Sequence, residues 1–410
     1  MNATPTSGSP QLMRRLNSAL VLQAIREAGS ASRAEIRQAT GLSKPTVREV
    51  VEFLLRTGYV SEAVAGDRDG GGRPGPRARV LTFRADLGHV LGIDVGANKI
   101  LVHLADLSGT ILASERRRTR SARGAVTVLK TVRAAVEKAL AGAGVDRESL
   151  MAVAVGTPGV VDPASGRIAL APQLPGWEGL ELGQALGSSF PCPVLVENEV
   201  RLSILAECWR GVAQGIDDAV YVQIGVGIGG GILIGGELYR GADGAAGEIG
   251  YLPYPDGKPL ADGPGPFEHA AGGSAFARLG REAAAGDEGT LLREMAGGDP
   301  EAVDAEVVFA AAAQGDEAAR TIVADVTRTL ANGIAAVVAV LNPATVIVGG
   351  GLSRAGAALL EPLERHVVER VPVPPRLVLS SLGEESVALG AVRLALQRAD
   401  ERLFSFAEAT

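Results

Sequence analysis

The chain has 410 residues, 46% of them hydrophobic and 21% charged, a balance that suits two or three globular domains and excludes a disordered or fibrous polypeptide. Two cysteines exclude a disulfide scaffold, and no apolar run approaches the roughly 20 residues that a membrane span needs. The net charge of −7 is uneven: residues 1–90 hold 13 Lys/Arg against 8 Asp/Glu, a surplus of +5, and the remainder holds 27 against 39. A basic module on an acidic body points to nucleic acid at one end and a different partner at the other. The opening MNATPTSGSPQLMRRLN lacks the apolar core of a signal peptide, so the cytoplasm is the expected compartment. Cys192, Cys208 and the histidines His89, His103, His269 and His366 are scattered, without metal-ligand spacing or the order of a nucleophile triad.

In chain order, Leu16, Leu20, Val21, Ile25 and Ala28 recur at helical spacing until Gly29 stops the helix. Ser32 and Glu35 form a capping box for a second helix, with Ile36 and Ala39 expected to face inward. After the Thr40-Gly41 turn, Ser43 caps a third helix; Pro45 sits in its first turn, where no hydrogen bond is lost, and Val47, Val50, Val51 and Leu54 form a buried stripe. Lys44, Thr46 and Arg48 then point outward at the start of the second helix of a helix-turn-helix, where side chains meet base edges in the major groove. A protein-interaction module of the same shape is the competing reading. Two β-rich runs near 59–64 and 79–83 flank a Gly/Pro/Arg tip, so residues 1–85 read as a winged helix-turn-helix DNA-binding domain. At that tip Arg73 either enters a narrow minor groove or belongs to a plain solvated turn.

From residue 90 strands alternate with helices. VLGIDVGANKILVHLADLSGTIL gives a strand, a turn at Asp94 and two further strands, followed by a helix over about 125–141. MAVAVGTPGVVD, VLVENEVRLSILAE and AVYVQIGVGIGGGILIGGELYRG continue the pattern; a long helix ends near Leu341, and TVIVGGGLSRAGAALLEPLERHVVERV is a strand, three glycines and a helix. Glycine loops after strands expose backbone N–H groups that cradle phosphates, and an acidic residue at a strand end can hold Mg²⁺, but glycine also marks ordinary close packing.

Five motifs, Asp94-Val-Gly-Ala-Asn-Lys99, Gly156-Thr-Pro-Gly159, Glu197-Asn-Glu199, Gly225-Val-Gly-Ile-Gly-Gly-Gly231 with Gly247-Glu-Ile-Gly250, and Asn342-Pro343 leading into Gly349-Gly-Gly351, stand in an order that resembles the ROK family (repressor, open reading frame, kinase) over nearly the whole chain. The resemblance implies an α/β protein: an N-terminal winged helix-turn-helix, then a two-lobed actin/hexokinase-like (ribonuclease-H-like) sensor over 86–400 and a tail over 401–410. Family members with a winged helix are sugar-responsive repressors, similar to xylose and N-acetylglucosamine repressors, whereas members without one are usually sugar kinases. The implied partners are a double-stranded operator with an inverted repeat, a carbohydrate or sugar-phosphate effector, and further copies of the chain as a homodimer or dimer of dimers, with no membrane.

Several positions depart from the family's kinases. Their catalytic Asn-Asp pair, whose aspartate is the general base, is Asn198-Glu199 here, which moves the carboxylate by about one C–C bond. A hydroxyl residue of the first phosphate loop and a threonine of the second are replaced by Asn98 and Val226, so Asp94, Gly96, Lys99, Gly225, Gly227, Gly349 and Gly350 would remain as a residual nucleotide site. The family's structural zinc uses a histidine after Gly-Glu-Ile-Gly and a cysteine cluster; Tyr251 and non-ligating residues stand there, so the zinc site reads as lost and no cofactor is expected. Glu248, Glu268 and Asn198 keep the positions of sugar-contacting groups, and Gln173 replaces a usual asparagine, which points to a ligand larger or differently hydroxylated than glucose. Asn198 could equally cap a helix, Glu248 could pair with a nearby basic residue, and Trp177 could be core. The resulting expectation is a DNA-binding repressor with Gln173, Asn198, Glu199, Glu248, Tyr251 and Glu268 around its effector, with no catalytic residue and no metal. The alternative is an ATP-dependent, glucokinase-like sugar kinase with an added DNA-binding domain, Glu199 as base and ATP/Mg²⁺ as cofactor; a third class is a ligand-free regulator whose body serves dimerisation.

Overall fold

The computed structural model describes residues 10–64, 79–119, 124–171, 174, 176–225, 227–254 and 264–403. The amino-terminal module runs α1 (Pro10–Ala28), β1 (Ala31–Ser32), α2 (Arg33–Thr40), α3 (Lys44–Arg56), β2 (Val60–Val64) and β3 (Arg79–Phe83). The Ser32/Glu35 capping box forms, with Ser32 N–H donating to Glu35 Oε2 at 2.7 Å, and Gly41 takes a left-handed φ of 67° to end α2. Ser43 caps α3, whose buried residues are the expected Val47, Val50, Val51 and Leu54. The stripe on α1 differs: Ser18, Val21, Leu22 and Ile25 are buried, whereas Leu16 and Leu20 are 51% and 47% exposed and Ala28 is exposed. The helix is apolar on more than one side, so its periodicity did not single out the face that α2 and α3 cover. Ala39 is also exposed, which leaves Ile36 as the inward residue of α2. The strands form a sheet ordered β1-β3-β2. Arg33 and Arg79 converge on Glu62 in β2, and the Arg33 hydrogen bond holds that carboxyl below the usual range. The wing tip with Arg73 lies outside the described residues.

The body holds two sheets of five strands with the same order. Lobe I comprises β4 (His89–Val95), β5 (Lys99–Asp106), β6 (Ile111–Arg118), α4 (Ala125–Ala143), β7 (Leu150–Thr157), the small β8 (Val160–Val161) and β9 (Ile168–Leu170), α5 (Leu182–Gly187) and β10 (Val194–Asn198), with sheet order β6-β5-β4-β7-β10. After α6 (Glu199–Arg210), lobe II follows: β11 (Ala219–Ile224), β12 (Ile228–Ile234), β13 (Glu237–Leu238), α7 (Pro266–Ala271), α8 (Gly273–Ala285), α9 (Thr290–Met295), α10 (Ala305–Ala313), α11 (Glu317–Leu341), β14 (Thr345–Gly349), α12 (Ala357–Val368) and β15 (Arg376–Leu379), with order β13-β12-β11-β14-β15. In each sheet an antiparallel meander is followed by two strands parallel to its first, the duplicated layout of the expected two-lobed class. α13 (Ser386–Leu403) returns to lobe I and carries on past the domain end expected at 400.

Lobe II packs around Phe267, Phe276 and the buried face of α11, while lobe I packs α4 and Trp177 against its sheet, so Trp177 is core. By length and composition α11 is apolar enough to cross a membrane, which the sequence reading did not anticipate; its buried face lies in the lobe II core. A further core is continuous from the winged helix through α13 to β4 and β7. Close approach here demands glycine: a Cβ at Gly390 would strike the Leu202 backbone in α6, and one at Gly92 the α13 backbone.

Candidate functional site

The parallel strands β4, β7 and β10 end side by side, with Asp94 level with Gly156 and Asn198 level with Thr157. Across from them lie the loops after β11 and β14, and between the lobes opens a cleft of about 1160 Å³ lined by residues of both. Of the expected residues, it collects Asp94, Gly96, Lys99, Asn198, Glu199, Gly225, Gly227, Glu248, Tyr251, Glu268 and Gly350. Gly349 is not among its walls, and Gln173 and Val226 lie outside the described residues.

Four carboxyl groups dominate the cleft. Asp94 is buried, which pushes its pKa up to about 6 against the opposing charge of Lys99, whose Nζ stands 3.3 Å away. Lys99 also donates to the Glu384 backbone carbonyl. Glu199 opens α6 and is pushed up to about 7, first by burial and then by the Asp94 charge; Gln223 Nε2 donates to its Oε1 at 2.9 Å. Burial likewise raises Glu248, with Arg201 opposing and Glu268 adding, and raises Glu268, which accepts from Ile228 N–H at 3.0 Å. The Glu248 carboxylate has no hydrogen-bond partner among the described residues and lines the cleft. Asp94 and Glu199, at about 6 and about 7, are poised between the acid and the anion and can each donate to or accept from a hydroxyl, the pairing that a polyol requires.

Asn198 serves as the cap of α6, its Oδ1 accepting from Val200 N–H at 2.8 Å and Arg201 N–H at 3.2 Å, while Nδ2 donates to Gly159 O at 2.9 Å. One amide N–H remains for a ligand. Behind it, buried Glu197 accepts from Arg201 Nε and Arg240 Nε, each at 2.6 Å, and Arg201 also donates to Gly244 O at 2.8 Å. That network ties β10 and α6 of one lobe to the 240–248 loop that presents Glu248. Two glycines of the expected nucleotide site have packing reasons of their own: a Cβ at Gly349 would strike Tyr221, and Gly350, at φ 83°, lies against the Ile224 backbone. Gly225 is open to the cleft, where a Cβ would meet nothing within 4 Å. Tyr251 is half-exposed, on a short helical turn following Glu248.

Sequence reasoning missed Gln223, Arg201 and Arg240, and named Glu197 only as part of a motif without its ion network. For Gln223 a signal existed, a polar side chain inside the apolar strand AVYVQI directly before a glycine loop. Partners separated by 43 residues, as Glu197 and Arg240 are, leave no local pattern.

On the winged helix, Lys44 and Arg48 are exposed on the first turns of α3. Thr46 is half-buried and its hydroxyl lies 2.8 Å from Ser43 Oγ, so it supports the cap. Arg48 Nε donates to Glu52 Oε1 at 2.8 Å, an exposed pair that leaves the remaining guanidinium N–H groups free to turn outward.

Residues 90–398 match the ROK family, and residues 19–61 match a winged helix-turn-helix DNA-binding family. The chain belongs to the ROK family. Along 95% of its length this ROK protein is 27% identical to the xylose repressor of Caldicellulosiruptor bescii, covering 97% of that protein. Its body, 75% of the chain, is 32% identical to 98% of the glucokinase of Thermotoga maritima. Among solved structures, a ROK family transcriptional regulator described as a homolog of the E. coli MLC protein shares the fold over 96% of this chain and 98% of its own, with a TM-score of 0.77 at 23% identity.

Proposed function

We propose that this ROK protein is a transcriptional repressor whose operator affinity is set by a carbohydrate held between the lobes. Asn198, Glu199, Glu248, Tyr251 and Glu268, with Gln173 from outside the described residues, form its polyol site. Lys44, Arg48 and the wing-tip Arg73 meet the operator, with Thr46 at the same helix start. The protein works in the cytoplasm as a homodimer on inverted half-sites, because one winged helix covers too few base pairs for specific binding. The observation that carries the reading is the division of labour among the carboxylates: Lys99 already neutralises Asp94, the group placed for a divalent cation, while Glu248 stays open to the cleft. The residues do not fit the family's zinc either. Tyr251 stands in the ligand position, and the two thiols lie elsewhere, Cys208 in α6 and Cys192 in the segment before β10, each pushed up to about 11 by burial.

One observation favours the second reading, a sugar kinase: a base works best with a pKa near the working pH, and Glu199 titrates at about 7. Calorimetric titration with D-xylose and D-glucose, beside a coupled ATP-consumption assay, tests both. The receptor reading expects saturable sugar binding that Glu248→Gln weakens about tenfold or more and no turnover, since loss of one charge-assisted hydrogen bond is worth roughly 1.5–3 kcal/mol. ATP consumption that depends on the sugar and disappears in Glu199→Gln would instead make the protein a kinase.

A further inference from the structure

Two helices begin at the cleft, α6 at Glu199 and α13 at Ser386, and the cleft lining includes the first two residues of each. They are locked together by the Gly390 contact with Leu202 and by a 3.1 Å hydrogen bond between the Ser203 and Ser386 hydroxyls. At the other end of α6, buried Glu207 accepts from Ser380 Oγ and from the Ser381 and Leu382 N–H groups, which fixes the loop leading into α13. α13 is 18 residues long, so its axis spans about 27 Å. Its far end, with Leu403 buried, belongs to the continuous core that also holds the winged-helix residues.

Arg26 closes that junction from α1, and Arg393 of α13 adds its charge near the same Asp400. Arg26 of α1 donates Nη1 to Asp400 Oδ1 of α13 at 2.6 Å and Nη2 to the Leu107 carbonyl after β5 at 2.6 Å, and it lies 5.0 Å over the Phe83 ring of its own module. Its side chain is 17% exposed and that of Asp400 21%. A planar fork held at three sides fixes the orientation of the parts it joins, unlike a flexible ammonium.

We infer that α13 is the strut that couples the cleft to the DNA-binding module, with Arg26, clamped between Asp400 and the Leu107 carbonyl, as its joint. The inference rests on the cleft being the effector site, and it adds the route by which occupancy reaches the operator. A ligand that shifts the N-termini of α6 and α13 moves one rigid pair, because the glycine contacts leave no slack, and the pair carries Asp400 with it. Coupling between two sites is reciprocal, so DNA bound to α3 must in turn be felt at the cleft end of α13.

The first arm of the test needs no effector. Hydrogen exchange is followed in the full chain with and without a duplex that this chain has selected from random-sequence DNA. The expected result is that the duplex changes exchange across 380–387 in the wild type, and that this change vanishes in Asp400→Asn while duplex binding persists. Because Asp400→Asn leaves Arg26 without its counter-charge, the double variant Arg26→Met/Asp400→Leu, which replaces the pair by apolar side chains of similar reach, is measured beside it. In a second arm D-xylose is added: a wild-type shift in duplex affinity of about 5- to 150-fold, the usual span of allosteric coupling, should fall to near unity in the folded double variant. A wild-type loop 380–387 that does not respond to DNA, or a folded double variant that keeps the full response, overturns the inference. A loop that responds to DNA in a protein whose duplex affinity ignores D-xylose and other sugars counts against the carbohydrate reading while supporting the strut.

Discussion

Glu199 carries the sharpest consequence at the scale of a single residue. Its folded-state pKa of about 7 lies above the usual 4.5, so between those values the folded protein holds a proton that the unfolded chain has released. Stability therefore falls as pH rises from about 4.5 to about 7 and is level above. Glu199→Gln keeps the acceptor for Gln223 and removes the titration, so denaturant unfolding followed from pH 5 to pH 8 should give the variant a flatter profile and, at pH 8, a gain on the order of 1 kcal/mol or more. Parallel profiles would mean that Glu199 ionises as an ordinary carboxylate. Asn198 was legible both as a cap and as a ligand group, and its geometry supports the cap. Glu199 was legible as a displaced base and as an effector contact, but not as a raised carboxyl, because the groups that act on it, Asp94 and Gln223, come from other strands.

Among the elements, α3 was the most legible, since cap, first-turn proline and buried stripe are all local features. Ser43→Ala should cost about 1 kcal/mol of stability with little effect on the cleft, measurable by chemical denaturation. Arg48→Ala should weaken operator binding about ten- to a hundredfold while changing affinity for random duplex much less, because a guanidinium that reads a base edge discriminates by sequence. Equal losses on both duplexes in a gel-shift titration would reduce Arg48 to a phosphate contact. α1 was less legible: its inward face is set by α2, α3 and β3, and the spacing of its own leucines pointed partly to the exposed side. α13 was not legible as a connector at all, since its partners Arg26, Gly92 and Leu202 lie far back in the chain.

For the molecule as a whole, the repeated sheet order explains why one cleft gathers strand ends from both lobes, and the shared core explains how the winged helix is seated on lobe I. The five motifs mark the strand ends that line this cleft, which is why the fold class could be read from sequence, whereas the ion networks that brace it could not. A module that shares its core with the body should not melt alone: scanning calorimetry is expected to give no separate winged-helix transition below that of lobe I, and an early, independent transition would contradict the continuous core. The central claim is that the cleft is a sugar receptor wired to DNA binding. Its most direct measurement is the fluorescence anisotropy of a selected operator duplex titrated with the wild-type protein over a panel of free and phosphorylated sugars, with ATP consumption followed in the same solutions. The account predicts that at least one sugar shifts operator affinity about fivefold or more without turnover; sugar phosphorylation with operator affinity unchanged across the panel would contradict it.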